Sequence, residues 1–290
     1  MLLCYLPGIA VYALVRECRV SNDAIWERDF DKRLREADLN VNDHDIRYAT
    51  CNMHALHWAC FFNDPAACRF LLGRGVDVDA KADVFYCPND CVHDESYYSV
   101  HDMVRIRNSI AKPPRTNDLD GVPALFVASN MGSVEMVELL LDAKADARAR
   151  GPGTYSTALR FALENKHFDV VMPLLRAGAG SDAERGWWMG DLELVQALEF
   201  GAPNEVVFEM VCRGARPGTC AIVETAVSSV RFAALARAIG FEEDFPAVIA
   251  EALQAPGAKA EVEQLAEQFK ADFARYSEKF EAEKAQAQEP

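Results

Sequence analysis

The sequence predicts an all-α protein built as a short solenoid, a row of similar helical units stacked one against the next. Three segments align with one another without gaps, beginning at His54, Pro123 and Thr157. Within them, apolar residues recur at the three- and four-residue spacing of a helix face. Half of all residues are hydrophobic and 26 % are charged, as in ordinary globular domains. The aligned columns hold Leu56, Leu125 and Leu159, then Ala59, Ala128 and Ala162, then Leu71, Leu140 and Leu174.

Each segment is predicted to form two antiparallel helices followed by a short turn. In the first segment, Ala59 and Cys60 place small side chains on one face of the first helix, so that the second helix can pack closely against it. Gly75 and Gly178 follow second helices and are expected to cap them, because a positive φ costs glycine little. The second helix carries an apolar stripe, formed in the first two segments by Cys68, Leu71 and Leu72 and by Val137, Leu140 and Leu141.

These segments resemble ankyrin repeats, whose pattern begins T-P-L-H-x-A and recurs about every 33 residues. The resemblance implies an ankyrin-type solenoid with hairpin fingers, which is short and irregular in this chain. Lys144 stands where a capping glycine is expected and predicts a less regular, extended helix end. Pro173 predicts a kink or a late start of the second helix in the third segment. The family's histidine occurs only as His57. Because Phe126 and Arg160 replace it in the other copies, its hydrogen-bond ladder is expected to stop there.

The spacing between the copies predicts an insertion. Leu56 and Leu125 are 69 residues apart, whereas Leu125 and Leu159 are 34 apart, so one extra repeat length lies between the first two copies. We expect the repeats to span residues 49–183, with an insertion at about 82–120. That stretch lacks the leucine and alanine columns and contains three prolines, which favours an insertion over a decayed repeat. Both alternatives stay open.

The predicted insertion contains four side chains of the types that bind Zn²⁺ tetrahedrally. Their spacing, C-x3-C-x-H-x7-H, follows no zinc-site pattern, so an unliganded loop is the favoured alternative and no cofactor is expected. The four residues are Cys87, Cys91, His93 and His101.

Residues 1–48 are predicted to form a helical cap, with Trp26 and Phe30 covering the first repeat. Helical periodicity runs through residues 2–39, which match no other segment of the chain. The order of residues from Leu14 to Trp26 is also similar to the later half of an F-box, the motif that docks substrate receptors onto cullin-type ubiquitin ligases. The opening Leu-Pro helix of that family would precede Met1. The cap and the partial F-box stay open as alternatives.

The C-terminal part is predicted to be helical throughout. Residues 184–257 are expected to form degenerate, repeat-like helices, because the segment from Gly190 repeats a second-helix ending with Gly201 as its cap. Residues 258–290 predict an amphipathic, charged helix that packs on the end of the solenoid, with docking on a partner as the alternative. Its apolar stripe is formed by Val262, Leu265, Phe269, Phe273, Tyr276 and Phe280.

Composition and charge argue against several classes of function. The 45 acidic and 30 basic residues give a net charge of −15, which repels phosphates, so no nucleic-acid partner is expected. The longest apolar run stops at Arg16, short of the ~20 residues of a membrane span, so no membrane insertion is expected.

Nine unevenly spread cysteines predict reduced thiols in a cytoplasmic or nuclear protein. Motifs of nucleotide-binding and hydrolytic enzymes are absent from the sequence, so an enzyme is not expected.

The resemblance therefore predicts a non-enzymatic module that binds another protein through its repeat surface. Expected contacts in the fingers are Asp77, Asp79, Asp146, Arg148 and Arg150. Expected contacts on the first helices are Trp58, Phe61, Phe62, Val127, Asn130, Met131, Phe161, Glu164 and Asn165. An alternative is that the insertion or the N-terminal helices cover Trp58 and the two phenylalanines. The alternative function is a substrate-recognition, F-box-type subunit of a cullin-type ligase, with the ligase adaptor as a second partner.

Overall fold

The architecture is helical, as the sequence predicts. The computed structural model describes residues 7–20, 26–42, 53–82, 121–151, 157–182, 187–188, 190–215, 226–240 and 257–288. Apart from two pairs of two-residue strands, the regular elements of these residues are helices. The chain divides into two compact units, Met1–Ala177 and Gly178–Pro290.

The first unit consists of helix pairs stacked in register. Within each pair the two helices contact each other, and α3, α5 and α7, the first helices of the three predicted repeats, contact one another in order, as do the second helices α4, α6 and α8. The helices in chain order are α1 Pro7–Val20, α2 Trp26–Glu36, α3 Ala55–Phe61, α4 Pro65–Gly73, α5 Ala124–Met131, α6 Val134–Asp142, α7 Ala158–Glu164 and α8 Phe168–Arg176.

Polar side chains define where several of these helices begin. Asp64 accepts a hydrogen bond from the backbone N–H of Ala67 at 3.0 Å before α4, and Thr157 accepts one from Arg160 at 3.1 Å before α7. Such bonds satisfy backbone donors that have no partner within the helix. The predicted core columns then follow, since the leucines and alanines of all three columns are at most 3 % exposed.

The first two repeats contact each other directly. Strand β1, Lys81–Ala82, pairs antiparallel with β2, Val122–Pro123, so that Ala82 lies opposite Val122. Helices α3 and α4 contact α5 and α6, respectively. Direct contact between these two repeats is what the insertion alternative predicts. The weak zinc candidates Cys87, Cys91, His93 and His101 lie outside the described residues.

Helix α6 ends as regularly as its counterparts, so the expectation of an irregular helix end at Lys144 is wrong. Lys144 has a φ of 71°, close to the 73° of Gly75. Its N–H donates to the carbonyl of Leu141 at 2.9 Å, and the N–H of Ala145 donates to Leu140 at 3.0 Å. These two bonds and the buried Leu140 hold the lysine in the left-handed conformation, at a cost of roughly 1 kcal/mol.

Replacing Lys144 by glycine is expected to raise the free energy of unfolding by roughly 0.5 to 1 kcal/mol, because glycine adopts the left-handed conformation without steric cost. Chemical denaturation measures the change. A matched control is Lys32→Gly within α2, which is expected to lower stability by about 1 kcal/mol, because glycine is unfavourable inside a helix. A loss of stability in Lys144→Gly would contradict this account of the helix end.

The proline in α8 does not delay the helix. Helices α6 and α8 are each nine residues long and begin 34 residues apart, at Val134 and Phe168. Pro173 lies inside α8. The prediction of a late start is therefore wrong: the buried column residue Leu174 keeps the helix in register although Pro173 lies in its interior.

The second unit contains four described helices and one strand pair. Arg231 joins its own helix to two others, since its guanidinium donates to the carbonyls of Leu198 at 3.4 Å and Ala202 at 2.9 Å and to Oδ1 of Asn204 at 3.1 Å. Gly201 has a φ of 78°, as expected of the predicted cap. The elements are β3 Ser181–Asp182, β4 Trp187–Trp188, α9 Gly190–Glu199, α10 Asn204–Cys212, α11 Ala226–Ala238 and α12 Ala258–Gln288.

The apolar stripe of α12 packs on helices of its own unit. Helix α12 contacts both α10 and α11. The ring of Phe208 lies 5.9 Å from that of Phe269 and 5.5 Å from that of Phe273, measured between centroids. The hydroxyl of Tyr276 donates to Oε2 of Glu209 at 2.7 Å. Contacts within the second unit thus bury Val262 and Phe269, while the other four stripe residues stay partly exposed.

Candidate protein-binding surface

His57 joins the first repeat to the second. Its Nδ1 accepts a hydrogen bond from the backbone N–H of His54 at 3.3 Å, and its Nε2 donates to the carbonyl of Val122 at 2.9 Å. Burial, together with the charge of His54, lowers the pKa of His57 to about 3, although the bond to Val122 opposes the shift. The ring is therefore neutral. In the second copy Phe126 replaces it, and this ring packs against Phe161 with 5.5 Å between centroids.

The finger aspartates hold the turns and connect neighbouring fingers. Oδ1 of Asp77 accepts from the N–H of Asp79 at 3.1 Å, and Oδ1 of Asp146 accepts from the N–H of Arg148 at 2.9 Å. Oδ1 of Asp79 accepts from the N–H of Asp146 at 3.0 Å, which connects the first finger to the second. Sequence reasoning missed this structural role, although the D-x-D spacing of VDVDA was a signal for it.

Four of the six apolar contact residues predicted on the first helices are buried, so the expectation that they are open is wrong. Trp58 is 6 % exposed, Phe61 8 %, Val127 2 % and Phe161 3 %. The reason is that the first helices of successive repeats contact one another, which covers these positions. Trp58 also packs against Phe61 and Phe62, with 5.9 Å between ring centroids in both cases.

The polar candidates on the first helices mostly bond within the stack. Asn130 is 8 % exposed, and its Oδ1 accepts from Nδ2 of Asn165 at 2.9 Å, joining α5 to the residue that follows α7. Oε1 of Glu164 accepts from Nε of Arg160 at 2.7 Å, and both side chains are largely buried. Asn130 and Glu164 thus stabilise the stack, whereas Asn165 stays partly exposed.

Three candidates remain accessible at one matching repeat position, and we name them the first-helix row: Phe62, Met131 and Asn165. Phe62 is 38 % exposed, the highest value of any large hydrophobic side chain among the described residues. One face of its ring stacks on Tyr12 of α1 with 5.4 Å between centroids. The N-terminal helices therefore cover part of this phenylalanine, as one alternative predicts.

The fingers also present charged side chains, and we name residues 77–79 and 146–150 the finger row. Asp77, Asp146 and Arg148 are exposed, whereas Asp79 and Arg150 are partly exposed. Because the aspartates bond backbone N–H groups through one carboxylate oxygen, they hold the backbone of the fingers in ordered turns. The accessible candidates therefore lie mainly in the fingers.

The cysteine nearest to His57 in the sequence lacks the features of a nucleophile. Burial raises the pKa of Cys60 and raises that of Cys68 to about 12, which keeps both thiols protonated. Among the residues with a described position, no group of three or more His, Cys, Asp or Glu side chains is arranged to hold a metal ion. Within the same residues, no helix has both the length and the apolar character needed to span a membrane.

Helix pairs stacked in register, with fingers joined by hydrogen bonds, define a helical repeat array. Family models of the ankyrin repeat match residues 51–80 and 120–151. The chain therefore contains ankyrin repeats, and ankyrin repeats are protein–protein interaction modules. A search of the curated proteins finds no match to this chain.

Proposed function

We propose that this protein is a non-enzymatic module that binds another protein through its finger row and first-helix row. The observation that carries the proposal is the ordered fingers, whose backbone is held by Asp77, Asp79 and Asp146 while charged side chains stay exposed. A surface ordered before binding loses little conformational entropy when a partner docks, so more of the contact energy appears as affinity.

The chemistry of the two rows fits a protein partner better than a small molecule. The rows extend over three repeats and combine an exposed aromatic ring, Phe62, with carboxylates and the guanidinium of Arg148. Aromatic and arginine side chains are enriched where proteins bind each other, and mixed charges fix the orientation of a partner. Small-molecule sites, in contrast, are concave and mostly apolar.

A charge reversal in the finger row tests the proposal. Affinity capture with the full chain identifies a partner, and the affinity of that purified partner is then measured for Arg148→Glu. We expect binding to weaken by at least about tenfold, because like charges across an interface cost several kcal/mol. The matched control is Glu138→Lys on an exposed position of α6, which is expected to bind as the wild type does.

Circular dichroism must first show that both variants keep the helical content of the wild type. Equal affinities for the wild type, Arg148→Glu and a third variant, Met131→Glu, would contradict the proposed surface. Weakening by Glu138→Lys alone would instead assign binding to the second helices.

The proposed compartment is the cytoplasm or the nucleus. Cys60 and Cys68 are buried thiols inside the first repeat. Cytosolic and nuclear conditions keep cysteine thiols reduced, whereas secreted proteins usually oxidise them.

The F-box-type ligase subunit is a second hypothesis, carried by the likeness of residues 14–26. In that case the repeats would hold the substrate and the N-terminal helices would hold the ligase adaptor. The described contacts favour the simpler module, because α1 packs on α2, α3 and α4, and Val11 and Val15 are buried. A pull-down of purified adaptor by the full chain tests the hypothesis. Absence of binding is expected, and stoichiometric binding would favour the ligase subunit.

A further inference from the structure

The hydrogen bonds between fingers continue into the N-terminal segment. Oδ1 of Asn40 accepts from the N–H of Asn42 at 3.0 Å, which repeats the turn of Asp77 and Asp79. Oδ1 of Asn42 in turn accepts from the N–H of Asp77 at 3.2 Å, as Oδ1 of Asp79 does from Asp146 at 3.0 Å. Residues 40–42 thus occupy the position of one more finger.

The helix before this finger also ends as the second helices of the repeats end. The N–H of Leu39 donates to the carbonyl of Leu34 at 2.9 Å, as the N–H of Ala145 does to Leu140 at 3.0 Å. Leu34 is 8 % exposed and lies 37 residues before Leu71, in the leucine column of the second helices. The match therefore includes a core position as well as the turn.

The backbone conformation after the helix matches too. Asp38 has a φ of 54°, and the residues at the equivalent position of the repeats, Gly75, Lys144 and Gly178, have φ values of 73°, 71° and 90°. A positive φ is uncommon for residues other than glycine. Its occurrence at the same register position in all four places indicates one common motif.

The contacts of α1 with α2 and α3 match those of a first helix in the array. Helix α1 contacts α2 and α3, as a first helix contacts its own second helix and the next first helix. The ring of Phe30 packs edge-on against Phe70 with 4.9 Å between centroids, and Arg74 pairs with Asp31. The predicted cover of the first repeat by Phe30 is thus observed, while the Trp26 side chain lies outside the described residues.

We infer that residues 26–42 are the second helix and finger of a further ankyrin-type unit, so that the array and its finger row begin at Asn40. Helix α1 occupies the first-helix position but is 14 residues long, whereas α3 has seven. The difference in length explains why the sequence columns did not align there. The assignment of this added finger to the protein-binding surface rests on the proposed function. Its place in the array is independent of that function.

Substitutions of Asn42 in the full chain test this inference. Native-state hydrogen exchange reports the protection of the Asp77 amide, which Asn42 bonds. We expect Asn42→Ala to speed exchange at Asp77 by about three- to tenfold, the loss of one hydrogen bond, whereas Asn42→Asp retains protection. The matched control variants in the first repeat are Asp79→Ala and Asp79→Asn, for which exchange is measured at the amide of Asp146.

A cooperative array also makes the Leu39 and Val76 amides lose protection at the same denaturant concentration. Unchanged exchange at Asp77 in Asn42→Ala, with an effect of Asp79→Ala at Asp146, would overturn the inference. Loss of Leu39 protection at a clearly lower denaturant concentration than Val76 would also overturn it and indicate an independent cap. These readouts need no partner, so a failure here is distinguishable from a failure of the binding proposal.

Discussion

Replacing Leu140 by alanine is expected to lower the free energy of unfolding by ~2 to 5 kcal/mol. Leu140 is fully buried on α6, in the same column as the fully buried Leu71 and Leu174. Because α6 contacts α4, α5 and α8, the missing methyl groups leave a cavity that three helices would have to move together to fill. Denaturation in urea at equilibrium measures the loss.

Leu139→Ala is the matched control, since Leu139 is the preceding residue of the same helix and is partly exposed. We expect a clearly smaller loss for this variant, because less apolar area is removed from the core. A loss below ~1 kcal/mol for Leu140→Ala, or equal losses for the two variants, would contradict the repeat register.

Stability is expected to fall on mild acidification because His57 resists protonation in the folded state. Its pKa is about 3 in the fold, against 6.5 for an ordinary histidine. Between these two pH values the unfolded chain binds a proton that the folded chain does not, so stability falls as the pH falls. Between pH 7 and pH 5 this group contributes a loss of ~2 kcal/mol. The geometry explains the shift, because a protonated Nδ1 would point its hydrogen at the N–H of His54.

The variant His57→Gln isolates this contribution. Unfolding free energies of both proteins are measured at pH 7 and pH 5, and the wild type is expected to lose more stability than the variant by about 2 kcal/mol. Any absolute loss from the substitution cancels in this difference between two pH values. Parallel pH dependences of the two proteins would contradict a buried, neutral His57.

The sequence was sufficient for the helices and for the core of the repeats. Periodicity and the aligned columns placed Leu71, Leu140 and Leu174 in the core, where they are fully buried. These residues were predictable because a repeat shows the same environment several times in one sequence. The cap glycines followed from one local rule, the low cost of a positive φ.

The candidate surface was less predictable, because it depends on contacts between units. Trp58 and Phe161 occupy helix positions that a single repeat leaves open, but contacts between neighbouring first helices bury them. Asp77 and Asp146, which the sequence analysis proposed as finger contacts, are exposed, but their bonds to the backbone were not predicted. Hydrogen bonds of this kind depend on the turn conformation, which residue type alone does not specify.

The N-terminal unit shows the limit of alignment by residue type. Asn40 and Asn42 stand where the next finger has aspartates, and Asp38 stands where most copies have glycine. Asparagine and aspartate both accept hydrogen bonds through Oδ1 and tolerate the left-handed conformation, so the geometry persists although the residues differ.

The stacked array is tested most directly by replacing residues 83–121 with the dipeptide Asn-Gly, a two-residue turn between the paired residues Ala82 and Val122. Because α3 and α4 already contact α5 and α6, we expect this variant to stay folded and to unfold in one cooperative transition. Exchange protection of the Val122 and Asp146 amides should match that of the full chain. An unfolded variant, or two separate transitions for the segments before and after the replacement, would contradict an array in which these repeats form one stack.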